Sequence, residues 1–260
     1  MPATRQATEL LSLETALTRL PGSEVYARKV LTRIKTVRPL PPGSTTIVDI
    51  GAAQGRFVIG CARLGYRAIG VEPSDAARET ASQLAELAGV EAQVLPGTAE
   101  ATGLPSGQFD VVIAKSVIEH VPDAQAAFDE IYRILKPGGV FWFCTASSLC
   151  PRQHEIDGFP FFGWYPDSLK RRIMAWVREH KPHLVGHTDH PAIQWFTPGK
   201  ARRMLRQAGF RQAIYDRWDL RQPSEGGTAY RLCLRVVKLG WVTKRLTDVA
   251  WPGCAYAVVK

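Results

Sequence analysis

The residues with the most chemical content in this chain are a carboxylate and the glycine-bearing turn that follows it. The stretch reads Ile47-Val-Asp-Ile-Gly-Ala-Ala-Gln-Gly-Arg-Phe57. Gly51 and Gly55 let the backbone turn tightly and approach a ligand closely. The helix expected next offers free N–H groups and the positive end of its dipole. A pyrophosphate-binding turn needs Gly-x-Gly-x-x-Gly. Here Ala53 stands at the second glycine position, and no third glycine follows in register. The turn therefore suits a ligand without phosphate and discounts NAD. Asp49 is placed to orient a cationic amino group, directly or through water. Glu72 ends the next expected strand, about twenty residues on, where a carboxylate can accept hydrogen bonds from both ribose hydroxyls. Pro73 adds an apolar face beside the base.

Three further stretches follow in order. They are Pro96-Gly-Thr-Ala-Glu-Ala-Thr-Gly-Leu-Pro105, then Phe109-Asp-Val-Val-Ile-Ala-Lys-Ser-Val-Ile-Glu-His-Val-Pro-Asp123, then Leu135-Lys-Pro-Gly-Gly139. Each is weak alone; their order and spacing are specific. With the turn, they resemble the class I S-adenosylmethionine-dependent methyltransferase family, of the small-molecule, type 11-like kind. The resemblance covers about residues 45–145 well and the C-terminal part in outline. It implies S-adenosyl-L-methionine as cofactor, which has no phosphate and carries an ammonium group for Asp49. It further implies that Gly51, Ala52, Ala53 and Gly55 form the turn that cradles the methionine part. Glu72 would hold the ribose, Ala99 and Glu100 would border the adenine, and Lys115 and Ser116 would line the pocket. Two departures stand out. Ala52-Ala53 occupies the place of a Cys-Gly or Gly-Cys-Gly run, and Thr98 replaces an aspartate that often contacts the adenine amino group; either Thr98 still accepts that hydrogen bond or the contact shifts to Glu100 or to backbone.

Methyl transfer from a sulfonium is an in-line displacement with a neutral leaving group, so alignment matters more than acid catalysis. A base is needed only where the acceptor must lose a proton. His120, after the fourth expected strand, is the first candidate, with His154 and His190 behind it. Ser116 also reads as a plain loop residue, and Glu119 and His120 as caps of the next helix.

The elements that must position these groups alternate. Strands are expected at 45–50, 67–72, 90–95, 109–114 and 140–145. Helices are expected at 24–37, 54–64, 75–88 and 123–135, with Ser74 an N-cap and Gly89 a stop. This rhythm predicts an α/β, doubly wound parallel sheet, and the resemblance implies a Rossmann-like, seven-stranded, mainly parallel sheet whose last strand is antiparallel. The chain divides into an N-terminal helical cap (1–44), a cofactor-binding core (45–146), an aromatic- and His-rich insertion (147–196) and a C-terminal part (197–260). The last part opens with a helix at 197–208. Strands are expected at 210–220 and 253–259. The insertion holds one helix, 167–180, and is expected to cover an acceptor pocket walled by His154, Trp164, Tyr165, His190, Trp195 and Phe196; ordinary packing is the other reading of those aromatics.

The five cysteines show no Cys-x-x-Cys spacing, so neither a zinc site nor a disulfide framework is expected. No run of about 18 apolar residues and no leader is visible, which points to the cytoplasm. Residues 1–149 hold 14 basic and 15 acidic side chains, against 19 and 9 in residues 150–260, so the charge is −1 in the first part and +10 in the second. An anionic partner or a merely solvated face explains that asymmetry equally well. Residues 230–251 read as one amphipathic helix with Arg231, Arg235, Lys238 and Arg245 on a stripe, suited to peripheral contact with an anionic membrane or to packing on the sheet. The expected activity is methyl transfer to oxygen or nitrogen of a small-molecule, glycan or lipid-linked acceptor. The alternatives are an RNA-directed methyltransferase, less favoured because no RNA-binding module is visible, and a non-catalytic binder of the same cofactor.

Overall fold

In the computed structural model, which describes residues 13–153, 155–185, 191–251 and 253–260, the short β-branched and apolar runs pair into one sheet. Its strands are β1 (Thr46–Ile50), β2 (Arg67–Val71), β3 (Gln93–Leu95), β4 (Phe109–Lys115), β5 (Leu135–Ala146), β6 (Ile214–Asp216) and β7 (Gly253–Val259). The order is β3-β2-β1-β4-β5-β7-β6. The first five strands run parallel, and β7 lies antiparallel between β5 and β6. The doubly wound α/β expectation holds.

Helices cover both faces. On one side, α1 (Leu13–Arg19) precedes α2 (Ser23–Ile34), and α2 packs on α3 (Arg56–Arg63). Ile34, Phe57, Val111, Ile113 and Trp142 fill the core there. α4 (Asp75–Ala88) starts where Ser74 Oγ accepts the Ala77 N–H and stops at left-handed Gly89. On the other side lie α5 (Ala124–Ile134), capped by Asp123, and α7 (Pro198–Gln207), capped by Thr197. Phe128, Phe141, Phe143, Phe196, Phe210 and Tyr256 stack in the core beneath them. β4 is buried along almost its whole length, as its continuous apolar run requires of a strand covered on both faces.

The insertion holds α6 (Asp167–His180) and a core of its own around Phe162, Met174, Val177 and Trp195. It returns to the sheet through a bridge between Ser147 and Phe196. Helices α8 (Thr228–Lys238) and α9 (Trp241–Val249) follow β6 and lead to β7.

Three expectations are corrected. The strand expected at 140–145 begins at Leu135 and runs through Lys-Pro-Gly-Gly, because Gly138 and Gly139 exchange hydrogen bonds with the backbone of Lys260. The strand expected at 210–220 keeps only Ile214–Asp216: the Asp216 carboxylate accepts the N–H groups of Trp218 and Asp219 and folds the chain into a turn. The single helix expected at 230–251 is two, broken before extended Gly240, a residue with poor helix propensity. Arg231, Arg235 and Lys238 remain on one stripe of α8, whereas Arg245 belongs to α9 and pairs with Asp248.

Candidate active site

In an open α/β sheet, ligands bind outside the carboxyl ends of the strands, where the order reverses. That point here is the end of β1, flanked by β2 and β4. Gly51 has φ +67° and donates to Val71 O at 2.8 Å, tying the turn to β2. A Cβ on Gly51 would collide with the Val117 side chain. Gly55, at φ +72°, begins α3, and a Cβ there would come within 3.1 Å of Ala81 Cβ. Both positions need glycine: the left-handed backbone disfavours side chains and no room is left for one.

Ala53 adopts φ +46° without being glycine. Glu72 holds it there: one carboxylate oxygen accepts the Ala53 N–H at 2.9 Å, and the other accepts the Ser74 N–H at 3.1 Å. Glu72 thus braces the turn and keeps lone pairs for further donors.

A cavity of about 280 Å³ opens at this turn. Asp49, Gly51, Ala52, Ala53, Lys115 and Ser116 line it, so six of the sequence-predicted residues meet there. Asp49 is 6% exposed. Burial pushes its carboxyl up to about 8, the nearby Lys115 charge opposes that rise, and the Glu72 charge adds to it. Ser116 sits at φ +55° and donates its N–H to Cys144 O at 2.9 Å, so it is held rather than loose.

The cavity also has walls that sequence reasoning missed. Arg19, Tyr26 and Arg56 contribute to it. The Lys115 ammonium stands 4.6 Å from the Tyr26 ring centre and the Arg56 guanidinium 5.0 Å. Burial, then the Asp49 charge, drives the Tyr26 phenol well above its usual range. In the sequence Tyr26 is only one apolar-spaced residue of a helix, and nothing links it to Asp49. The cavity therefore offers one acid near three bases, which suits an amino-acid zwitterion.

The remaining predicted cofactor residues lie around this turn and the neighbouring strands. Pro73 follows Glu72 directly. Thr98 Oγ accepts the Ala101 N–H at 3.2 Å, so it serves its own turn. Ala99 is buried, and Glu100 reaches the Asp123 N–H at 3.3 Å.

Beyond β4, His120 closes a short turn through its N–H to Val117 O, and it does not line the cavity. Its neighbour Glu119 is a strongly perturbed group. Glu119 is 3% exposed and its carboxyl is pushed up to about 7, by burial first. Its Oε2 has no hydrogen-bond partner among the described residues. Its carbonyl accepts the N–H groups of Ile193 and Gln194, which anchors the insertion across the ends of β4 and β5.

The expected aromatic pocket is corrected. Trp195 belongs to the insertion core, beneath the buried Lys170 ammonium, and Phe196 belongs to the main core. The indole of Trp164 donates to Leu149 O and the Tyr165 hydroxyl to Pro160 O, so both serve local packing. A buried apolar ring gains more from close packing than from walling a cavity. His154 and His190 lie outside the described residues.

Comparison with known proteins agrees with this geometry. Residues 48–143 match the family model described as "Methyltransferase domain". The ubiquinone biosynthesis O-methyltransferase of a Methylobacterium species is 36% identical over 107 residues, 41% of this chain and 43% of the relative. The enzyme of the same name from Dinoroseobacter shibae is 33% identical over 173 residues, 66% of this chain and 62% of the relative. The chain thus spans about 43% to 62% of the length of these curated relatives. A SAM-dependent methyltransferase of Thermotoga maritima superposes with a TM-score of 0.51 at 21% identity, covering 98% of this chain and 99% of that one, and so shares the fold. The matched segment begins within β1 and ends within β5, and over it the chain is similar to the methyltransferase domain family.

Proposed function

We propose that this chain transfers a methyl group from S-adenosylmethionine to an oxygen of a small acceptor. One observation carries the reading: the braced Gly51–Gly55 turn sets a buried acid, Asp49, into a cavity with Arg19, Arg56 and Lys115 around it. Asp49 suits the ammonium of the methionine part, and Arg56 and Lys115 suit its carboxylate. Glu72 has lone pairs for the ribose hydroxyls, Pro73 and Ala99 flank the adenine, and Glu100 takes the amino contact that Thr98 leaves. When bound, the cofactor supplies an electrophilic methyl whose leaving group is neutral. The protein's own work is then alignment, exclusion of water by the insertion, and acceptance of the acceptor's proton. A base near pH 7 is matched to that last task; the candidates are Glu119, whose buried carboxyl is pushed up to about 7, and its neighbour His120, both of which stand outside the cavity lining. Oxygen as the methylated atom is supported by the names of the curated relatives.

The acceptor side also favours a membrane surface as the place of work. On α8 and its C-cap, Leu232, Val236 and Leu239 recur at helical spacing, and on α9 Val242, Leu246 and Val249 do the same; all are exposed, Leu239 to 80%. Arg231, Arg235 and Lys238 run beside the first stripe. Exposed apolar stripes flanked by cations suit an anionic bilayer better than an RNA backbone, which needs cations without the apolar row. No helix among the described residues is long and apolar enough to cross a membrane, so the contact is peripheral. Calorimetry with S-adenosylhomocysteine and NAD tests the cofactor, and release of S-adenosylhomocysteine over a panel of phenols and lipid-linked hydroxyls tests the reaction. Binding of NAD but not S-adenosylhomocysteine overturns the reading; binding without turnover on any acceptor leaves the non-catalytic alternative.

A further inference from the structure

We propose that a cavity beside Arg217, at the carboxyl edge of the sheet, holds a phosphate group of the acceptor. This deepens the methyltransferase reading and rests on it. Arg217 follows β6 and is 6% exposed. Neither Nη1 nor Nη2 makes a hydrogen bond among the described residues, although Nη2 stands 3.3 Å from Asp248 Oδ1. Leaving guanidinium N–H groups dry and unbonded is costly unless a ligand fills them.

The cavity has a volume of about 320 Å³. Arg202, Arg217, Lys238, Lys244 and Arg245 face Asp216 and Asp248 across it, five cations against two carboxylates, a net +3. Lys244 is already paired with Asp216 and Asp219, and Asp248 is shared by Arg217 and Arg245. Arg202 and Lys238 make no ion pair with these carboxylates, and the Lys238 ammonium donates to Arg221 O at 3.2 Å. The surplus matches the double charge of a phosphate ester better than the single charge of a carboxylate. A planar guanidinium binds phosphate oxygens in a fork, and flexible cations complete the cage.

Its position fits an acceptor site. Ala255 lines the cavity and pairs with Cys144, which pairs with Lys115 of the cofactor cavity. Ala255 and Lys115, one from each cavity lining, are therefore two strand spacings apart, about 10 Å. A second space of about 230 Å³ shares Arg217, Cys254 and Ala255 with the first and reaches Cys144. An acceptor anchored by phosphate at Arg217 thus has room to extend toward the methyl-donating side.

The test is a calorimetric titration of the full chain with inorganic phosphate, with and without S-adenosylhomocysteine. Arg217→Met is expected to weaken phosphate at least tenfold. Arg202→Gln and Lys238→Gln, both exposed, are expected to weaken it about threefold each, the scale of one exposed ion pair. S-adenosylhomocysteine affinity should stay within twofold throughout. No phosphate binding by the wild type, or binding untouched by Arg202→Gln and Lys238→Gln, overturns the proposal even where Arg217→Met fails to fold. Phosphate binding without S-adenosylhomocysteine binding overturns the methyltransferase reading instead. Competition by phosphatidic acid vesicles but not phosphatidylcholine vesicles identifies a lipid headgroup as the natural source; phosphate binding without such competition identifies a soluble ester, and both support the site.

Discussion

The two halves of the sheet handle charge in opposite ways. Around β1 and β2 the chain is nearly neutral, and the site groups are few and braced: Glu72 binds two backbone N–H groups, and Asp49 is buried against the turn. Around β6 and β7 the chain is strongly basic, and Asp216, Asp219 and Asp248 are shared among Arg217, Lys244 and Arg245. The first half suits one invariant ligand, met by backbone shape and single hydrogen bonds. The second suits a variable one, met by a field of charge that tolerates differences of geometry. Recognition by shape should fail sharply on single substitutions; recognition by field should fail gradually and with salt.

The largest effect should come from Gly51→Val. The left-handed backbone and the collision with Val117 together should cost about 3 kcal/mol or more of stability and abolish S-adenosylhomocysteine binding. The space invaded first is that of Val117, so adding Val117→Ala should recover part of the thermal stability. Unaltered melting and affinity in Gly51→Val would remove the contrast between the halves.

Glu72→Ala should come next. It removes both the brace on Ala53 and the ribose acceptor, and should weaken S-adenosylhomocysteine by about 1–3 kcal/mol, the scale for hydrogen bonds to a charged group. Comparing ribose with deoxyribose ligands separates the two roles: equal loss for both would assign Glu72 to the brace alone.

The acid in the cavity predicts a pH effect of about tenfold. Asp49 keeps its proton until about pH 8 because burial penalises the charge. An ammonium ligand needs the carboxylate, so S-adenosylhomocysteine affinity should rise from pH 6.5 to about 8, roughly one factor of ten per unit at most, and then level off. The folded chain also binds more protons than the unfolded chain between the ordinary carboxylate range and pH 8. Stability should therefore fall as pH rises through that window. Asp49→Asn should flatten both profiles. A turnover profile with an acid limb near 7, lost in Glu119→Gln but kept in His120→Asn, would assign the base.

The smallest single effects belong to the basic half. Each of Arg231→Gln and Arg235→Gln should reduce sedimentation with anionic vesicles by up to about fivefold at low salt, near 1 kcal/mol per charge. Both effects should fade as salt rises, while S-adenosylhomocysteine affinity stays constant. Salt-independent loss would mean that these arginines pack rather than steer.

The sequence by itself determined the half of the sheet around β1 and β2. Strand, turn and helix are contiguous there: Asp49, Gly51 and Gly55 lie within one short stretch, and Ser74 announced its cap because a cap acts on N–H groups two or three residues away; for the helix after β4 the cap is Asp123 and not Glu119 or His120. Periodicity also located β4 and α6. Tertiary structure alone decided the rest, because the partners are distant in the chain. Tyr26 reaches Asp49 by the packing of α2 on α3, Glu119 is tuned by burial under the insertion, and the phenyl ring of Phe196 serves the core instead of a pocket. The expected helix at 230–251 split because the interior takes up Leu234 and Val237 from α8 while Gly240 frees the chain to turn. Local pattern reports what a segment can do with its own neighbours; burial, and the charges that burial brings together, depend on which surfaces the whole chain closes.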